Sequence, residues 1–266
     1  MMDTRTPLQS IIDPFVKGIY GELVCNLVGN SNPPSSADYL FRTQNVIAEL
    51  KAIEPGSYIQ SFHRKLANLT AKWNREGKLV VMGTTRVDSK NLPRDCQEEM
   101  FSEMAEPLQK HLVYAANEQI RSTKKLLGMP EAKGLLWVAS DGNEDIQPNL
   151  VWYLLTRILS KKKTNGDRAY SSIHGLAYFN PRMLASVPKT DMPALFFYTA
   201  FRERIPELVS LLDLLRDAWP QYVSNRLGVP VLSNVPGTPE ETRFFGVKPK
   251  LPRITPNFDH RNKEKS

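Results

Sequence analysis

The chain has little cysteine. Cys25 and Cys96 are the two in 266 residues, so neither a disulfide framework nor a four-cysteine zinc site can be built from it. The histidines, His63, His111, His174 and His260, are scattered and form no His-x-x-x-His pair, which argues against a zinc enzyme. G-x-S-x-G, P-loop and G-x-G-x-x-G motifs are all missing, which argues against hydrolases of that fold, P-loop ATPases and dinucleotide enzymes. No apolar run approaches the roughly 18 to 20 residues of a membrane span. The stretch Met1-Met2-Asp3-Thr4-Arg5 lacks the apolar core of a secretory signal. A reducing, cytoplasmic setting is therefore expected, and no internal repeat is present.

What remains has the proportions of a globular protein, with 41% hydrophobic and 24% charged residues. Thirty-five Lys and Arg against 28 Asp and Glu leave a net charge of +7 and a pI near 9.3, which favours an anionic partner. Part of that surplus is local: Arg226 to Ser266 carries eight basic and four acidic residues. Six prolines fall between Val229 and Pro256 without sustained periodicity. The expected organisation is an α/β domain over residues 1–228 followed by a proline-rich basic tail, 229–266, extended or partly disordered.

Within the domain, strand and helix patterns alternate. Asp13-Pro14 reads as an N-cap and first helical residue, and Phe15, Val16, Ile19, Leu23 and Leu27 predict a helix over 14–28 that stops at the Gly29–Pro34 cluster. Strands are predicted over Ala37–Phe41 and Val46–Ile53. Ile59, Phe62, Leu66, Leu69 and Trp73 predict a second helix after Pro55-Gly56-Ser57. Leu79–Gly83 is predicted as a strand, and Gln97–Leu127 as a long helix kinked at Pro107 and capped by Gly128. The apolar run Gly134–Ser140 suits a strand buried on both faces. Asn149–Leu159 then reads as helix, Ser172–Phe179 and Ala194–Phe201 as strands, and Glu207–Leu227 as helix. The class is α/β.

One stretch combines strand patterning with charge. If the strands around Arg42-Thr43-Gln44-Asn45 form a tight antiparallel hairpin, Asp38 falls directly opposite Glu49, and Lys51 lies two residues along the same face. A slip of one residue would separate the carboxylates onto opposite faces. Carboxylates facing each other about 5 Å apart repel. A divalent cation relieves that repulsion; it can also bind a phosphodiester and lower the pKa of a bound water. A lysine beside it can orient the water or neutralise developing charge.

Asp38 followed by Glu49-Leu50-Lys51, on a hairpin preceded by a helix, resembles the PD-(D/E)xK nuclease superfamily. The resemblance covers roughly residues 14–76 and departs from the pattern in placing Ala37 before the aspartate, where the motif name has proline. It implies a restriction-endonuclease-like core, a central mixed sheet flanked by helices, here with a helical insertion. It implies Asp38 and Glu49 as ligands of Mg²⁺ or Mn²⁺ and Lys51 as the catalytic lysine. Because family members add an acid from the preceding helix and a glutamine from a later one, it also implies Glu22 as a further ligand and Gln60 as an auxiliary. The implied activity is metal-dependent DNA cleavage in restriction, phage defence or DNA processing, with a homodimer as one way to cut both strands.

Other stretches have simpler explanations. Asp141, Asn143 and Asp145 alternate like a calcium loop, but Ile146 and Trp152 stand where a glycine and a bidentate glutamate belong. Cys25 reads as core. Lys161-Lys162-Lys163 complements a helix C-terminus, while Arg64, Lys65, Arg75, Lys78 and Arg86 are candidates for a nucleic-acid face. The competing functional class is a non-catalytic nucleic-acid-binding or assembly protein, in which the charged hairpin is a solvated face.

Overall fold

The computed structural model describes residues 7–28, 36–53, 57–79, 91–140, 148–181, 185–186, 193–194 and 197–228. Its centre is a mixed six-stranded open sheet in the order β1-β2-β3-β4-β5-β8. The strands are β1 (Glu22–Leu23), β2 (Tyr39–Phe41), β3 (Val46–Ile53), β4 (Lys133–Ser140), β5 (Gly175–Phe179) and β8 (Phe197–Phe201); β6 (Ala185–Ser186) and β7 (Pro193–Ala194) form a separate two-stranded sheet. β1, β2 and β3 pair antiparallel, β3, β4 and β5 are parallel, and β8 returns antiparallel to β5.

Helices cover both faces. The β3-to-β4 crossover contains α3 (Ser57–Arg75), α4 (Arg94–Pro107), a π-helical segment (Leu108–Val113) and α5 (Tyr114–Leu126), and the β4-to-β5 crossover contains α6 (Pro148–Leu159). Both crossovers step the same way along the sheet, so crossovers of one hand put their helices on one face. There Leu66, Trp73, Met100, Leu108, Ile120 and Leu154 bury against Leu40, Ile47, Leu136, Val138 and Leu176. The other face is covered by α1 (Gln9–Gly18) and α7 (Pro206–Leu227). Its core joins Phe15, Trp219 and Leu212 to Trp137, Phe179 and Phe197. No described helix is long and apolar enough to cross a membrane.

The helix predicted over 14–28 is instead two short helices with a strand between them. α1 starts earlier and carries Pro14 inside it; Asp13 is no cap, because it is buried and accepts a hydrogen bond from the Tyr39 hydroxyl (2.9 Å). The break comes at Tyr20, with φ 63°, and at Gly21, where a Cβ would lie 2.4 Å from Val16 Cγ1 and 2.7 Å from Phe41 Cε1. Only glycine fits that approach. The chain then pairs Glu22 with Leu40 as β1 before α2 (Val24–Val28). Cys25 on α2 is exposed rather than core; Cys96 is the buried one.

The long helix predicted over 97–127 does deviate at Pro107, where the π-helical segment begins. Proline supplies no N–H to the helical ladder, and the wider turn accommodates the mismatch. Gly128 ends the run in the left-handed conformation (φ 64°). β4 is almost wholly buried, as its apolar run predicts, and Pro206 opens α7. Of the strand expected over Leu79–Gly83, Leu79 is not in a strand and 80–83 lie outside the described residues, as do the Asp141–Asp145 loop and the tail 229–266.

Candidate active site

Strand register brings the charged residues together. β2 and β3 pair Tyr39 with Ala48, Leu40 with Ile47 and Phe41 with Val46, which sets Asp38 opposite Glu49, the register expected from sequence. Asp38 lies one residue before β2 and ends the ladder with its side chain: Oδ2 accepts the Leu50 N–H (2.9 Å) and Oδ1 accepts from Gln9 Nε2 (3.2 Å) at the start of α1. Glu49 lies inside β3 and is 1% exposed. Its Oε1 is 2.6 Å from Lys51 Nζ, whereas its Oε2 is buried with no hydrogen-bond partner.

Lys51 is fixed from a second side. Its Nζ donates to Gln119 Oε1 (2.7 Å), and Gln119 Nε2 donates to the Ser36 carbonyl (3.2 Å). One α5 side chain thus ties the lysine to the segment that leads into Asp38. Nearby, Thr123 Oγ1 accepts the Ala37 N–H (2.7 Å), which holds the same segment against α5.

Burial dominates the electrostatics. It pushes Glu49 up to about 8, with the neighbouring Asp38 charge raising it further and Lys51 pulling it down. Asp38 is also raised, by burial above all, against the opposing effect of the Leu50 N–H and Lys51. The two carboxyl groups are within hydrogen-bonding reach of one another, so their titrations are coupled and both are displaced upward. A buried acceptor aimed at a second carboxylate costs stability unless a proton or a cation lies between them.

The donor set is two carboxylates, one amine and one amide. Among the described residues no group of three His, Cys, Asp or Glu side chains could hold a metal ion. Two carboxylates suffice for Mg²⁺, which keeps water and takes phosphate oxygens in its remaining positions. The buried pair of Asp38 and Glu49 carboxyl groups at close range fits such an ion.

Of the two further members expected, one is paired elsewhere and the other cannot be placed from the described side chains. Glu22 was expected on a helix but lies in β1, paired with Leu40; it shares the face of Asp38 yet sits a register step towards the hairpin turn, where Arg42 Nε binds its Oε1 (2.6 Å). Gln60 lies on α3, but its side chain is outside the described residues. The glutamine that touches Lys51 is Gln119, which sequence reasoning missed. No local spacing could have revealed it, because 68 positions separate it from the lysine.

Two of the five residues expected on a nucleic-acid face are paired with carboxylates. Lys65 pairs with Glu103 (3.0 Å) and Glu106, and Lys78 with Asp95 (2.8 Å) and Glu76 (3.0 Å). The Lys65 pairs and the Lys78–Asp95 pair join α3 and its following turn to α4. Arg64 and Arg75 are exposed, and Arg86 lies outside the described residues. In the lysine run, Lys161 Nζ donates to Gln109 on the π-helical segment, while Lys162 and Lys163 are exposed. No protein-family model, curated protein or solved structure matches the chain.

Proposed function

We propose that the protein is a Mg²⁺- or Mn²⁺-dependent endonuclease acting on DNA, with Asp38 and Glu49 as metal ligands and Lys51 as the catalytic lysine. The observation that carries this reading is the buried Glu49 carboxyl group within hydrogen-bonding reach of Asp38, with Lys51 Nζ 2.6 Å from its Oε1. A solvated face does not bury its carboxylate, and apolar packing does not require one. The antiparallel run β1-β2-β3, followed by a helical crossover to a parallel β4, supports a restriction-endonuclease-like core with α3 and α4 as its insertion.

The bound cation would neutralise charge on a phosphodiester and lower the pKa of a water molecule. The chain's own residues prepare the rest. Gln119 and Glu49 hold Lys51 with its ammonium beside the carboxylates, where it can orient the attacking water and offset negative charge developing on phosphorus. Gln9 and the Leu50 N–H fix the Asp38 carboxylate in place. Action in the cytoplasm, in restriction, phage defence or DNA processing, belongs to the same proposal, with two copies of the chain cutting the two strands of a duplex.

Plasmid incubation with Mg²⁺, with and without EDTA, tests it. Nicking or linearisation that EDTA stops, and that Asp38→Ala and Lys51→Ala abolish, is expected. DNA binding without cleavage would instead identify a non-catalytic nucleic-acid-binding protein.

A further inference from the structure

The end of α1 breaks a pattern that two other helix ends keep. α1, α3 and α5 close with the same two backbone hydrogen bonds: the Tyr20 N–H donates to the Lys17 carbonyl and Gly21 to Val16, Gly77 to Asn74 and Lys78 to Trp73, and Gly128 to Lys125 and Met129 to Lys124. This closure needs a left-handed residue at the first donor, where glycine meets no Cβ penalty. α3 and α5 supply Gly77 (φ 68°) and Gly128 (φ 64°), whereas α1 supplies Tyr20 at φ 63°. A tyrosine in that conformation is strained.

The side chain does not offset that strain within the chain. Tyr20 is 91% exposed, and among the described residues its ring makes no aromatic contact and its hydroxyl no hydrogen bond. The fold alone selects glycine at such a position, as the ends of α3 and α5 show. The ring therefore answers to something outside the chain.

Its place suits a nucleic-acid strand. Continued past the Glu22↔Leu40 pair, the β1–β2 register sets position 20 opposite Arg42 at the hairpin end, four residues from the level of Asp38 and so roughly 13 Å along the strand. The charged residues flanking it are Lys17, exposed in the last turn of α1, and the Glu22–Arg42 pair (2.6 Å), which together leave one positive charge over. A lone ring beside charges and glycines, Gly18 and Gly21, does not make the contiguous apolar patch of a protein interface. A base needs only one flat aromatic face and stacks on it whatever its identity, while neighbouring cations serve its phosphates. We propose that Tyr20 stacks on an unpaired base of a nucleic-acid strand at the hairpin end of the sheet. The inference rests on the nucleic-acid half of the proposed function and not on cleavage.

The test uses the full chain in EDTA, with fluorescence anisotropy of a labelled single-stranded DNA oligonucleotide for affinity and thermal denaturation for stability. Tyr20→Gly should raise Tm by roughly 2 °C or more, because it relieves the left-handed strain, and yet weaken binding about tenfold. Tyr20→Phe keeps the ring and should bind like the parent. Lys17→Gln should weaken binding and flatten its salt dependence. A parent that does not bind the oligonucleotide, or a Tyr20→Gly variant that binds equally well or loses stability, overturns the proposal. Loss of self-association in sedimentation with DNA binding intact would place a second copy of the chain on Tyr20 and overturn it too. Binding lost in Tyr20→Gly, from a parent that cleaves nothing with Mg²⁺, would uphold this inference and remove the nuclease reading.

Discussion

β3 and β4 are neighbours of equal length, eight residues each, paired in parallel from Val46↔Lys133 to Ile53↔Ser140. In β4, Leu136 and Val138 face the α5 side and are completely buried. In β3 the residues beside them in register are Glu49 and Lys51. The same sheet and face are therefore served by two buried apolar residues in one strand and by a buried glutamate paired with a half-buried lysine in the other. β4 shows what packing alone selects at this depth. The charges of β3 are costly to bury, so apolar packing does not account for them.

Exchanging the roles of the two strands would break this comparison. The largest effect is expected on catalysis: Asp38→Ala or Lys51→Ala should lower the initial rate of plasmid cleavage at least about a hundredfold, while circular dichroism shows a folded protein. Leu136→Ala, one strand away from Glu49, should do the reverse. It costs about 2–5 kcal/mol in urea denaturation and leaves cleavage per folded molecule unchanged.

A smaller effect sharpens the contrast. Gln119→Ala removes one charge-assisted hydrogen bond to Lys51 and should slow cleavage about tenfold, as read from single-turnover rates. The smallest effect belongs to the α3–α4 surface pairs. Lys65→Gln should shift stability by no more than about 1 kcal/mol and leave the cleavage rate untouched, because that lysine serves Glu103 and Glu106 and not the carboxylate site.

What the sequence makes legible follows the range of the interaction. The β2–β3 hairpin register could be read because its turn is local and a slip of one residue would expose an apolar face. β4 could be read from its uninterrupted apolar run. The N-terminal helix was misplaced because the decisive event, Gly21 pressed against Phe41, is a tertiary contact that helical periodicity does not encode. Glu22 moved with it, from a helix face to a strand where Arg42 claims its carboxylate. Gln119 was invisible for the same reason: its partner, Lys51, lies in a different element far away in the chain. Asp13 looked like a cap, yet Tyr39, 26 positions on, makes it a buried acceptor.

The central claim is that Glu49 is carried at a cost to stability for the sake of a cation. In the native state burial and Asp38 hold its pKa at about 8, against 4.5 ordinarily. Between those values the folded chain keeps a proton that the unfolded chain has lost, so this contribution to stability is full below pH 4.5 and declines as pH rises to 8. Glu49→Gln does not titrate. The most direct measurement is the thermal stability of the parent and Glu49→Gln proteins from acid to alkaline pH, repeated with Mg²⁺. The account predicts near-equal stability at the acid end and a gap that widens with pH to a few kcal/mol in favour of glutamine. Mg²⁺ then closes the gap by stabilising only the parent. Parallel curves, or a gap that Mg²⁺ leaves unchanged, would contradict it.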